Sequence, residues 1–122
     1  MPVDTTLLPL PCHAVIFVSQ RTADDNGYGD ATVRMAELGA QQPGFLGIAS
    51  ARAADGAGIT VVFYQSAEAA KQWGRNPEHR AVMQTARERW YESYAIYYAE
   101  VAGGHGWQKG PTGHDARAEP SV

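Results

Sequence analysis

The chain has 122 residues, 44% of them hydrophobic and 19% charged, with a formal net charge of -3. That is one domain of ordinary soluble composition, long enough for a real core and too short for two. The acidic balance, with lysine only at positions 71 and 109, argues against nucleic acid as a partner, and no apolar run approaches a membrane span.

Residues 1–12 contain three prolines and no sustained period. Prolines at 9 and 11 disfavour regular structure, so an extended arm is expected, with Leu7, Leu8 and Leu10 free to pack on a surface. The single cysteine, Cys12, rules out an intrachain disulfide and fits a cytoplasmic protein. It reads as a small apolar filler. No signal-peptide pattern opens the chain.

Residues 13–21, HAVIFVSQR, read as a strand that is apolar at both parities. A polar loop follows, TADDNGYG, without the spacing of a calcium loop. A helix is expected over about 29–42, with Tyr28, Ala31, Met35, Leu38 and Gln42 sharing one face, stopped by Pro43-Gly44. Residues 45–53 form a second strand, and ADGAG at 54–58 is a hairpin turn. Residues 59–65, ITVVFYQ, form a third strand, again apolar on both faces.

Ser66 caps a short helix to Trp73, and Gly74 breaks it. Asn76 then caps a new helix with Pro77 at its first position, where the missing N–H costs nothing. This helix runs to about Trp90, with His79, Val82, Met83, Ala86 and Trp90 on its apolar face. The fourth strand is the Tyr-rich stretch 90–101. Residues 102–122 form a Gly/Pro-rich tail, expected to be mobile or draped on a partner. Its Trp107 is expected to dock somewhere, and its His105 and His114 to be solvated.

The order β-α-β-β-α-β predicts an α+β, ferredoxin-like fold over residues 13–101. It has a four-stranded antiparallel sheet with the helices on one face. Helices cover one face only, yet the first, third and fourth strands are apolar on both. A naked apolar face of that size is an association surface, so a sheet-to-sheet homodimer is expected.

The segments ITVVFYQSAEAAKQW (59–73), NPEHR (76–80) and RERWYESY (87–94), with HAVIFVSQRT (13–22) and QQPGFLG (41–47), carry a resemblance. They are similar to the antibiotic biosynthesis monooxygenase (ABM) domain family of dimeric α/β-barrel proteins. The resemblance implies an oxidoreductase of one of two kinds. One is a cofactor-independent monooxygenase acting on an aromatic or quinol-type substrate, with no cofactor and a small aromatic ligand as partner. The other is a haem-degrading monooxygenase, which uses a first-strand Asn, a Trp after the third strand and a His ten residues beyond it. Trp73 matches that Trp, but ten residues on stands Met83, and the first-strand position falls near Ser19-Gln20. Haem degradation is therefore the weaker expectation. A non-catalytic ligand-binding or interaction protein on the same fold is the alternative.

His79 is the expected catalytic, proton-handling residue, because an imidazole titrates near neutrality and this one should face the sheet near Ser19 or Tyr64. Trp73, Tyr64, Ser19 and Met83 are the expected substrate-binding residues, lining an apolar, aromatic pocket between helices and sheet. Each has a plainer reading: Trp73 as core, the tyrosines as strand-formers, His79 as a satisfied structural histidine. Arg21, at the end of the first strand, could bind an anionic group or be solvated. No metal site is expected, since His79 has no second ligand three or four residues on.

Overall fold

In the computed structural model, residues 3–110 are described in full and 114–118 by their backbone. The elements are β1 (Cys12–Arg21), α1 (Tyr28–Ala40), β2 (Phe45–Arg52), β3 (Ala57–Tyr64), α2 (Ala67–Arg75), α3 (Pro77–Thr85) and β4 (Tyr91–Val101). A π-helical turn, Ala86–Trp90, separates α3 from β4. The four strands form one antiparallel sheet in the order β2-β3-β1-β4. This is the expected ferredoxin-like arrangement.

The register assigns side chains to faces, because residues directly opposite in an antiparallel pair point the same way. His13, Val15, Phe17 and Ser19 of β1 align with Tyr64, Val62, Thr60 and Gly58 of β3, and Tyr98, Ile96 and Tyr94 of β4 join them. This face carries the helices. The other face presents Ile16, Val18, Val61, Phe63, Ile59 and Tyr97, with Cys12 and Ala14 buried at one end. The two-sided apolar pattern of the strands therefore describes two real faces.

Helix α1 turns the face read from its sequence inward. Tyr28, Ala31, Met35, Leu38 and Gln42 are half-buried, and their neighbours are exposed apart from the buried Gly39. Gly44 lets the chain leave α1 and enter β2. Its φ is +83°, and a Cβ there would lie 2.6 Å from the Ala69 Cβ of α2. Only glycine meets both conditions.

The two predicted caps are present. The Ser66 hydroxyl accepts from the Ala69 N–H at 3.2 Å. The Asn76 side chain accepts from the N–H groups of Glu78 at 3.0 Å and His79 at 3.1 Å. Asn76 closes α2 and opens α3, so one residue sets the angle between them. The helix expected to reach Trp90 as α ends at Thr85, and the wider π turn completes it. Trp90 is buried there and donates from its indole N–H to the Asn26 carbonyl at 2.8 Å, pinning the β1–α1 loop.

Beyond residue 101, in the stretch read as a mobile or partner-draped tail, the chain forms two further strands. Strands β5 (Gly104–Gln108) and β6 (His114–Ala118) pair antiparallel in a two-stranded ribbon. Their glycines let the backbone come close: a Cβ on Gly104 would meet Leu10 at 3.0 Å and Leu7 at 3.3 Å. The leucines of the N-terminal arm pack against this ribbon and, through Leu8, against Gly47 of β2. Trp107 stays 57% exposed instead of docking. The side chain of His114 lies outside the described residues. Among the described residues no helix is long and apolar enough to cross a membrane.

Replacing Asn76 by alanine removes the acceptor for two helix N–H groups. We expect a loss of about 1 kcal/mol, seen as a lower urea midpoint at unchanged slope. An unchanged midpoint would show that the cap carries no stability.

Candidate functional site

The residues expected to form one site lie in separate places. His79 and Trp73 come together: their rings stack with centroids 4.3 Å apart and planes at 27°. On its other side the Trp73 indole lies against the backbone of α1, where a Cβ on Gly39 would be 3.6 Å away. Trp73 thus fills the space between α1 and α3. The His79 ring turns to it. The short α2–α3 corner at Asn76 is the cause, since it folds His79 back over the last turn of α2. His79 is half-buried and its Nδ1 has no hydrogen-bond partner. Burial lowers its pKa below the ordinary 6.5, and the Trp73 backbone raises it to a lesser extent. The imidazole is neutral near pH 7.

Tyr64 is 1% exposed and packs edge-on against Phe45, with burial pushing its phenol up to about 12. It is a core residue with a hydroxyl that stays protonated. Met83 is half-buried on α3. Ser19 is buried at the opposite end of β1 from Tyr64, and its Oγ accepts from Arg52 Nη2 at 2.9 Å.

Ser19 belongs to a cluster that sequence reasoning did not assemble. Arg52, at the end of β2, lies across β3 to reach β1. Its guanidinium donates to Ser19 Oγ and, through Nη1, to the Gly56 carbonyl at 2.5 Å. It rests directly on Gly58, where a Cβ would stand 2.6 Å from Arg52 Cζ. The absence of a side chain at 58 is what lets the arginine lie flat.

Tyr28, the first residue of α1, sits over this arginine. The Arg21 guanidinium is 3.6 Å from the Tyr28 ring centroid, and Arg52 is 5.9 Å from the centroids of both Tyr28 and Tyr91. Arg21 is fixed by bonds to the carbonyls of Trp90 at 3.0 Å and Asp24 at 2.9 Å. The rings of Tyr28, Trp90, Tyr91, Phe17 and Tyr94 form a continuous set of edge and tilted contacts with centroids 5.2–6.0 Å apart. Tyr91 reaches this face through a β-bulge. Ser19 pairs with Tyr94 and Gln20 with Ser93, but Arg21 pairs with Tyr91, skipping Glu92. The skipped residue moves Tyr91 to the side Tyr94 occupies.

The electrostatics of the two phenols diverge. Burial would raise Tyr28, but hydrogen bonds with Tyr91 and Thr32 and the charge and hydrogen bond of Arg52 outweigh it, leaving its pKa lowered. Burial raises Tyr91 strongly, and Tyr28 adds to that rise against the pull of the two arginines. Tyr28 therefore ionises first, and Tyr91 remains a donor. Neither arginine is ion-paired with a carboxylate: among the described residues the ion pairs are Arg34–Glu78 and Arg75–Glu68. No group of acids, histidines and cysteine among the described residues could hold a metal ion.

Two grooves open on the sheet's helix-free face. One, of about 910 Å³, is lined by Val18, Ile59, Ala95 and the strand edges at Ser19, Arg52 and Tyr94. The other, of about 590 Å³, lies under the N-terminal leucines and β5. His79, Trp73, Tyr64 and Met83 line neither.

The sequence profile described as antibiotic biosynthesis monooxygenase matches residues 11–85, more than half of the chain. YqjZ of Bacillus subtilis strain 168, described as an uncharacterized protein, is 48% identical over 91 residues, covering 75% of this chain and 80% of YqjZ. Among solved structures, SnoaB from Streptomyces nogalater, described as a cofactor-independent oxygenase, superposes with a TM-score of 0.61 at 14% identity. It covers 73% of this chain and 93% of SnoaB. A conserved protein from Methanosarcina mazei superposes at 0.66 with 9% identity, covering 74% of this chain and 92% of that one. At such identities the structural likenesses establish the fold, and the profile and the close relative establish the kinship. The chain belongs to the antibiotic biosynthesis monooxygenase family.

Proposed function

We propose that this protein is a cofactor-independent monooxygenase of electron-rich aromatic substrates of the hydroquinone or anthrone type, acting as a homodimer. Family membership and the likeness to SnoaB, described as a cofactor-independent oxygenase, support the reaction class. The observation that carries the reading is His79. A buried Nδ1 without a partner, on an imidazole kept neutral by burial and stacked on an indole, is a base beside an aromatic wall.

The chemistry asks little else of the protein. A base removes a proton from the substrate, and the resulting anion is electron-rich enough to reduce dioxygen. For an anthrone methylene, two C–H bonds break and one oxygen atom of O₂ becomes the ring carbonyl. The other oxygen leaves as water with the two hydrogens. His79 takes the first proton, Trp73 holds the imidazole by stacking on it, and the helix layer limits water.

The alternative is a non-catalytic binding protein on the same fold. It is favoured by the scatter of the expected site residues, with Tyr64 sealed in the core and Ser19 committed to Arg52. The haem-degrading reading draws less support, since Met83 stands where that chemistry has a histidine.

The homodimer rests on the helix-free face. Val18, Ile59 and Tyr97 are 40%, 53% and 58% exposed on it, and the N-terminal leucines cover one end only. A second copy, sheet to sheet, buries this surface. Sedimentation velocity should give a dimer for the wild type and a monomer for Ile59→Asp. A wild-type monomer at micromolar concentration would contradict it.

Oxygen uptake with a panel of hydroquinones and anthrones tests the reaction. We expect uptake above the protein-free rate, reduced about 100-fold or more in His79→Ala. The acidic limb of the rate profile should lie below 6.5, because a lowered pKa keeps the base form to lower pH. Uptake at the protein-free rate would leave the binding-protein reading standing, and equal rates in His79→Ala would remove His79 from the mechanism.

A further inference from the structure

The cluster at the far end of α1 from Trp73 and His79 has more charge than its structural duties require. Tyr28 is the first residue of α1 and Gly39, which touches Trp73, the second-last, so the two assemblies are at opposite ends of this helix. Arg21 and Arg52 bring two positive charges to one side of the sheet, with no carboxylate paired to either among the described residues. Their anchors are oxygens: the Trp90, Asp24 and Gly56 carbonyls and the Ser19 hydroxyl, with the Tyr28 hydroxyl also partnering Arg52. These bonds hold the forks in place without discharging them. Uncompensated, half-buried guanidiniums that are held still favour an anion among them.

The surroundings give the anion its shape. Tyr28, Tyr91, Phe17 and Tyr94 are half-buried aromatic rings on the same side. They offer faces and edges to a flat molecule, and the Tyr91 hydroxyl keeps its proton and donates it to Tyr28. The bulge that skips Glu92 turns Tyr91 into this set and leaves Glu92 out of the register. Gly58 is part of the same construction, because any side chain there would meet the Arg52 guanidinium.

We propose that Arg21, Arg52, Tyr28 and Tyr91 form a binding site for the ionised oxygen of an aromatic ligand, a phenolate or enolate. The aromatic character of the ligand rests on the monooxygenase reading given above; the seat for its oxygen rests on the geometry. Such a site favours the ionised form of a phenol that reaches it, as oriented donors do for any oxyanion. Arg52 is the donor, Arg21 holds Tyr28 in place by lying over its ring, Tyr91 holds the Tyr28 hydroxyl, and Ser19 and Gly58 are positioning residues for Arg52.

The test uses p-nitrophenol, whose ionised form is coloured, with the full-length protein at a pH just below the dye's own pKa. Binding to the wild type should convert the dye to its phenolate, read as growth of the phenolate band with saturation. Arg52→Met should weaken binding about tenfold, the effect of losing a charge-assisted hydrogen bond, and suppress the band. Gly58→Ala keeps every charge but displaces the guanidinium, and should do the same. Circular dichroism and the thermal midpoint show which variants fold, and either folded variant suffices. Binding of the dye in its neutral form, or equal affinity in the wild type and a folded variant, would overturn the proposal. Displacement of the dye by equimolar inorganic phosphate would overturn the aromatic assignment in favour of a general anion site. The outcome separates from that of the oxygenase reading. Phenolate binding without oxygen uptake keeps this site and removes the reaction; oxygen uptake without phenolate binding does the reverse.

Discussion

A four-stranded sheet has two faces, and this chain makes helices for one of them. Every strand except β2 is apolar on both sides, so the sheet cannot be satisfied by α1, α2 and α3 alone. Hydrophobic area left in water is unfavourable in proportion to its size, at about 25 cal/mol per Å². The N-terminal leucines and the β5–β6 ribbon answer part of this at one end of the open face. The remaining Val18, Ile59 and Tyr97 surface is what a second copy would cover. Both grooves lie on this open face, so their size speaks to association more than to catalysis.

On the helix side, two assemblies divide the chemistry. At one end of α1 an indole and an imidazole stack, with a buried nitrogen lacking a partner. At the other, two arginines surround a pair of tyrosines whose acidities are driven apart. Pairs of titratable groups separated in this way are a common feature of sites that handle protons and anions. On the proposed reading the first assembly supplies a base, and the second has the charge to hold an oxyanion. Asn76 and Gly58 make these arrangements possible without touching either chemistry: one sets the corner that turns His79, the other clears the path for Arg52.

The sequence made the fold legible because its signals were local. Hydrophobic period placed α1 and the strands, Ser66 and Asn76 marked helix starts through a side-chain oxygen, and Pro43-Gly44 marked a stop. The β5–β6 ribbon was not legible, because glycine-rich strands lack the alternation by which strands are recognised. The site was legible only in part. His79 and Trp73, six residues apart, were brought together by a corner that the sequence announces. Tyr28, Arg52 and Tyr91 come from three elements, and two of the reasons they meet are silent in sequence. One is the bulge that shifts Tyr91 by one residue and hence by a face; the other is an arginine lying over a glycine on the neighbouring strand. Tyr64 illustrates the converse. Its parity placed it correctly toward the helices, but parity does not tell a pocket wall from a sealed core residue.

The account places the ionised oxygen of an aromatic ligand at the arginine-tyrosine cluster on the helix-covered face, and leaves the open face to association. Chemical-shift mapping tests this most directly, by titrating isotope-labelled protein with resorcinol, a dihydroxybenzene that cannot form a simple quinone. The account predicts shifts at Phe17, Tyr28, Arg52, Tyr91 and Tyr94, with Val18, Ile59 and Ala95 little changed. Shifts confined to Val18, Ile59 and Ala95 would put the ligand in the open-face groove and contradict it.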